Sequence, residues 1–181
     1  MKPSIGRRTF MQGVAVGALS LPAMAAAGRV QAQDAAGSQG GYTYEIVKTE
    51  AEWHAQLGDE AFGIMRQRKT ERMRSSPLWN EVRDGDYFCK ACDLHVYEAK
   101  WKVVIDLGWV FFTQNVPDSV LMGIDETNPY GAAGDDGATI ALIEAHCRRC
   151  GSHFGHLITV KDGEVLHCLN GASLNFVERV A

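Results

Sequence analysis

Two pairs of cysteines, Cys89-Lys90-Ala91-Cys92 and Cys147-Arg148-Arg149-Cys150, constrain this chain more than any other feature. Thiolates two residues apart can turn onto one tetrahedral ion, with Zn–S bonds of about 2.3 Å, and two such pairs complete a closed four-sulfur shell. One pair alone would leave a redox dithiol or a disulfide open, whereas two pairs in one chain favour a structural zinc. The basic residues between the thiols, Lys90, Arg148 and Arg149, offset the negative charge of such a site. An ordinary zinc ribbon places about 15–20 residues between its pairs. Here the middle of the chain intervenes, so the metal is expected to staple a sheet rather than fold a small finger. The chain has five cysteines; four ligands leave Cys168 over.

The 181 residues, less an N-terminal segment, suffice for one domain around one hydrophobic core. Residues 1–32 read as a twin-arginine export signal. Arg7-Arg8-Thr9-Phe10-Met11 precedes an apolar run from Val14 to Leu21 and small residues ending at Val30-Gln31-Ala32. The run is too short to span a bilayer and Pro22 follows it, so export to the periplasm without stable membrane insertion is expected. That route carries folded proteins, which suits a domain that takes up zinc first, and ligation would shield four thiols from an oxidising compartment. Residues 33–41 read as a flexible polar linker, and residues 42–181 as the domain. The whole chain carries a formal −4, and its first 32 residues hold Lys2, Arg7, Arg8, Arg29 and no acid. Removing these four positive charges leaves the mature chain at −8, which argues against nucleic acid or an anionic membrane as partner.

Thr49 and Glu52 have the spacing of a capping box, which predicts a helix with Trp53 and Leu57 on its buried side. Asp59 is expected to cap a second helix that buries Phe62 and Met65, ending near Lys69-Thr70-Glu71-Arg72. Short strands follow at Tyr87-Phe88, 94–97, 102–105 and 109–112. Residues 117–137 are expected to be loop-rich, with turn signals at Asn128-Pro129 and Asp136-Gly137. Strands at 139–146, 154–160, 164–169 and 174–180 complete the pattern, the middle two joined by a hairpin turn at Lys161-Asp162-Gly163.

Cys168 lies in Leu166-His167-Cys168-Leu169-Asn170. On a strand Asn170 shares its side and His167 takes the other. A buried free cysteine is often an inert small hydrophobe. The run His153-Phe154-Gly155-His156 can bring two imidazoles to the same end of the sheet. As zinc ligands they would be redundant with four cysteines. As acid–base groups or partners of Cys168 they fit better, since the nucleophile is the thiolate and it gains from a cationic or hydrogen-bonding neighbour; a purely structural role for each histidine stays open.

Taken together, Thr70-Glu71-Arg72, the two cysteine pairs, Gly108-Trp109, His153-Phe154-Gly155-His156, Cys168-Leu169-Asn170 and Ser173-Leu174 resemble the methionine-R-sulfoxide reductases, in order from about Thr49 to Phe176. The resemblance implies a mainly β fold of two facing antiparallel sheets, stapled by a zinc at Cys89, Cys92, Cys147 and Cys150, with one or two short N-terminal helices. It also implies that Cys168 attacks a sulfoxide sulfur and becomes a sulfenic acid. Trp109 would pack on the substrate methyl group, while His153, His156 and Asn170 would bind or protonate the departing oxygen and orient the substrate. The chain departs from the family pattern at Leu166, where an arginine is usual, at His167, where an aromatic residue is usual, at Val110-Phe111-Phe112, usually Pro-Ser-Phe, and near Val160, where an acid is expected and Asp162 is a loose substitute. Near Leu107 there is no resolving cysteine, so an external thiol, such as a thioredoxin-like protein, is expected to reduce the sulfenic acid. Two rival readings use the same scaffold: a non-catalytic zinc-stapled β module that binds partners near Trp109, and a thiol enzyme acting on another small oxidised or electrophilic compound.

Overall fold

The computed structural model describes residues 42–125, 142–160 and 163–180. The expected export signal and linker, the turn signals at Asn128-Pro129 and Asp136-Gly137, and the hairpin residues Lys161 and Asp162 lie outside them.

Helix α1 (Glu50–Gln67) starts at the capping box: the Thr49 hydroxyl accepts from the Glu52 N–H, and the Glu52 carboxylate accepts from the Thr49 N–H at 2.8 Å. The two helices expected from the sequence are the two arms of α1, separated at Gly58, whose non-helical φ of 71° glycine adopts without steric cost. Asp59 follows this break at the start of the second arm, and its carboxylate pairs with His54 at 2.9 Å. The helix buries Trp53, Phe62, Ile64 and Met65. It ends on Arg68, a left-handed cap (φ 56°) whose N–H donates to the Gly63 carbonyl.

Nine strands are described: β1 (Gly85–Cys89), β2 (His95–Glu98), β3 (Lys102–Val103), β4 (Val110–Phe112), β5 (Val120–Asp125), β6 (Leu142–Cys147), β7 (His153–Thr159), β8 (Val165–Leu169) and β9 (Leu174–Glu178). They form two antiparallel sheets, ordered β2-β1-β9 and β3-β4-β8-β7-β6-β5. Strand β5 corrects the reading of 117–137 as loop. Gly123 interrupts its apolar run, and what makes it a strand is a six-residue ladder with β6, from Val120↔Cys147 to Asp125↔Leu142. Pairing partners of this kind override weak local preference.

Alternation along the strands divides the large sheet between two environments. Val110, Phe112, Ala145, Phe154 and Leu169 join Tyr87, Val96 and Tyr97 of the small sheet and the apolar side of α1 in the main core. The Tyr97 and Phe112 rings stack there at 4.4 Å between centroids. His167 also points into this layer, where its Nδ1 meets the Tyr97 hydroxyl at 2.9 Å. The intervening residues, Phe111, Leu166 and Cys168, form a second cluster on the other face.

Candidate active site

The four paired cysteines converge. Cys89 ends β1 in the small sheet and Cys147 ends β6 in the large one. All four sulfurs lie within 4.8 Å of one another, with Cys89 to Cys150 at 3.8 Å and Cys92 to Cys147 at 3.4 Å. Sulfurs about 2.3 Å from a common tetrahedral centre would stand roughly 3.8 Å apart, so the set lies close to the arrangement that could hold a metal ion. Arg149 donates to the Cys92 carbonyl at 3.1 Å and Arg66 to the Cys150 carbonyl at 3.1 Å, so two cations lie close to the sulfur cluster.

On the far face of the large sheet one row of paired residues crosses five strands: Gly123, Glu144, His156, Cys168 and Phe111, on β5, β6, β7, β8 and β4 in turn. Paired residues in antiparallel strands project to the same face. His156 is therefore flanked by Glu144 on one side and Cys168 on the other. Gly155, beside it, has no room for a side chain: a Cβ would lie 2.1 Å from the Cys168 carbonyl oxygen. That close approach presses β7 onto β8 at the thiol.

Each imidazole of the His153–His156 pair is held by a carboxylate. His153 Nδ1 donates to Glu144 Oε1 at 2.7 Å, and His156 Nε2 to Asp125 Oδ2 at 2.8 Å. The rings lie 5.1 Å apart, tilted by 60°. All four residues are buried to within 1%. Burial lowers the proton affinity of His156 below the usual histidine value, against the hydrogen bond it donates to Asp125, so the ring is neutral at pH 7. With its proton on Nε2, its acceptor lone pair is on Nδ1. His153 keeps its lone pair on Nε2, which is buried and has no hydrogen-bond partner.

Cys168 retains 8% exposure. Burial pushes its thiol up to about 12, and the charge of Glu71 adds to the effect. Around it are Phe111 and Leu166, fully buried, with Val103, Ile105, Trp109, Ile158 and Val160 half-buried at the rim. Three of the positions that depart from the family pattern, Phe111, Leu166 and Val160, thus fall in this apolar cluster.

Glu71 ties the strand end to the rim. Its carboxylate accepts from the Gly171 and Ala172 N–H groups at 2.7 and 2.9 Å, its own N–H donates to Asn170 Oδ1 at 2.9 Å, and its carbonyl accepts from the Trp109 indole N–H at 3.3 Å. Asn170 completes the link by donating from Nδ2 to the Phe154 carbonyl at 2.8 Å. Cys168, His156 and Trp109 therefore share one face, His153 packs beside His156, and both ends of the Asn170 amide are engaged by backbone. The sequence reading missed Asp125, Glu144 and Arg68, and used Glu71 as a helix end and as part of one motif of the resemblance without a role at the site. For Glu144 a signal existed: an acid within the strand that leads into the second cysteine pair.

Residues 57–178 match the SelR domain. A peptide methionine sulfoxide reductase MsrB from Herminiimonas arsenicoxydans is 32% identical over 139 residues, covering 74% of this chain and 93% of that protein. The MsrB of Agrobacterium fabrum is 31% identical over 137 residues, 73% and 93% of the two chains. An uncharacterised protein of Schizosaccharomyces pombe is 33% identical over 138 residues, with 74% and 93% covered. With a sulfur-lined metal site between two antiparallel sheets and a separate thiol beside paired imidazoles, the chain belongs to the SelR family, the methionine-R-sulfoxide reductases.

Proposed function

We propose that this protein is a periplasmic, zinc-containing reductase that returns methionine-R-sulfoxide in oxidised proteins to methionine through a sulfenic acid on Cys168. One observation carries the reading: Cys168 stands opposite His156 in the sheet, in a cluster that Trp109 closes.

In this reading Cys168 Sγ attacks the sulfoxide sulfur while a proton reaches the sulfoxide oxygen, without which that oxygen is a poor leaving group. The substrate sulfur gains two electrons and departs as a thioether; the oxygen ends on Cys168 as a sulfenic acid, and the thiol supplies its hydrogen. His156 Nδ1 and His153 Nε2 are the acceptor atoms that relay this proton. Trp109 packs on the substrate methyl group. Asn170, whose amide is engaged by the Phe154 and Glu71 backbone, serves by fixing the segment on which the indole rests. Two external thiols then reduce the sulfenic acid, releasing water and forming a disulfide between them. A thioredoxin-like protein fits that role. Zinc suits the four-sulfur site because thiolates prefer a borderline-soft ion and a closed tetrahedral shell is structural. Export rests on Arg7-Arg8 and the apolar run behind them.

The test is turnover of the R epimer of a methionine-sulfoxide peptide with dithiothreitol, alongside dimedone trapping. Wild type is expected to turn over, with dimedone on Cys168, and Cys168→Ser to fall to background. A wild-type rate equal to that of Cys168→Ser would sink the reading. Periplasmic fractionation with Arg7→Lys/Arg8→Lys tests the export step; equal export of the variant would refute it.

A further inference from the structure

Arg68 leaves the end of α1 in a left-handed conformation that costs glycine nothing and a branched backbone something, and its side chain is only 18% exposed. The guanidinium lies between two buried carboxylates. Its Nη1 is 3.9 Å from Asp125 Oδ1, and its Nε is 3.5 Å from Glu144 Oε1. Those carboxylates are the two that hold His156 and His153. Two carboxylates desolvated side by side would favour taking up a proton. A protonated carboxyl would then donate to the imidazole instead of accepting from it, moving the ring proton to the opposite nitrogen. A guanidinium that reaches both opposes such uptake, and its planar fork spans two acceptors where an ammonium offers a point charge.

We propose that Arg68 is a positioning residue for the sulfoxide reaction: by bridging Asp125 and Glu144 it fixes the orientation of the His156 and His153 rings that stand beside Cys168. The inference rests on the reductase reading above. The charged and titratable groups that face the rings are Arg68 from the helix end, Asp125 from β5, Glu144 and His146 from β6, and Cys168 from β8, with Tyr44 beside Glu144 and Glu71 beside Cys168. Among the described residues Arg68 is the cation that borders both carboxylates, so its removal raises the affinity of the His156 ring for protons and the acid limb of the kcat profile moves to higher pH.

The experiment compares wild type, Arg68→Gly and Arg68→Lys by kcat, KM and pH profile, with nitrogen-15 shifts of the histidine rings. Glycine suits the left-handed cap, so loss in Arg68→Gly reports the guanidinium rather than backbone strain. We expect kcat to fall at least roughly tenfold with KM within about threefold, the acid limb to move upward, and added guanidinium to restore part of the rate. Arg68→Lys reaches one carboxylate and is expected to lose less. A folded Arg68→Gly with unchanged kcat and acid limb overturns the proposal; if that variant does not fold, unchanged kcat and ring shifts in Arg68→Lys overturn it. The ring shifts are read without substrate, so the role of Arg68 is decided even if wild type proves inactive on sulfoxides.

Discussion

At the scale of single residues the central fact is that Cys168 is a protonated thiol at rest. Its environment is apolar, and the one charge that perturbs it is the anion Glu71. The expected consequence is slow alkylation: iodoacetamide labelling of substrate-free Cys168 should remain slow at neutral pH and rise until about pH 12, while an unperturbed thiol levels off near 9. The same shift has a stability sign. The unfolded thiol loses its proton first, so the folded state binds more protons between those two values and stability falls as pH rises through that window. A labelling plateau near neutral pH would show a thiolate and contradict the burial argument. Glu71→Gln is expected to lower the labelling midpoint.

At the scale of elements, the site depends on how closely β7 and β8 approach. A methyl group at position 155 would collide with the Cys168 carbonyl, so Gly155→Ala is expected to cost about 1–3 kcal/mol by overpacking and to lower kcat by moving the thiol away from His156. Chemical denaturation and turnover check this together; full stability and full activity would show that the strands separate freely. Much at this scale was legible in the chain. Short cysteine and histidine motifs announce themselves because neighbours in sequence act together, and the Thr49–Glu52 box marks the helix start. Strand β5 was not, because its apolar run is broken by Gly123 and its identity comes from the ladder with β6. Arg68 and Asp125 were invisible for the same reason, and Glu144 had only its place in the strand before the second cysteine pair: each is a charged residue on a different element, and only the register of the large sheet and the end of α1 bring them to one place.

At the scale of the molecule, the four-sulfur site joins the two sheets, with Cys89 from one and Cys147 from the other. Without an ion there, four thiols would pack against one another and the sheets would be held by apolar contact and a few hydrogen bonds such as that between Tyr97 and His167. Treatment with a strong chelator is therefore expected to lower the melting temperature sharply and to abolish activity, because metal binding and folding share one free energy. Restoring zinc should recover both; an apoprotein with an unchanged melting curve would show the site to be incidental. Since every cysteine other than Cys168 belongs to that site, the chain has no sulfur of its own to discharge an oxidised Cys168. In the proposed reaction the damaged side chain and then the external thiol would each have to reach Cys168 past the half-buried side chains packed around it, Trp109 among them, so the two would take turns and compete.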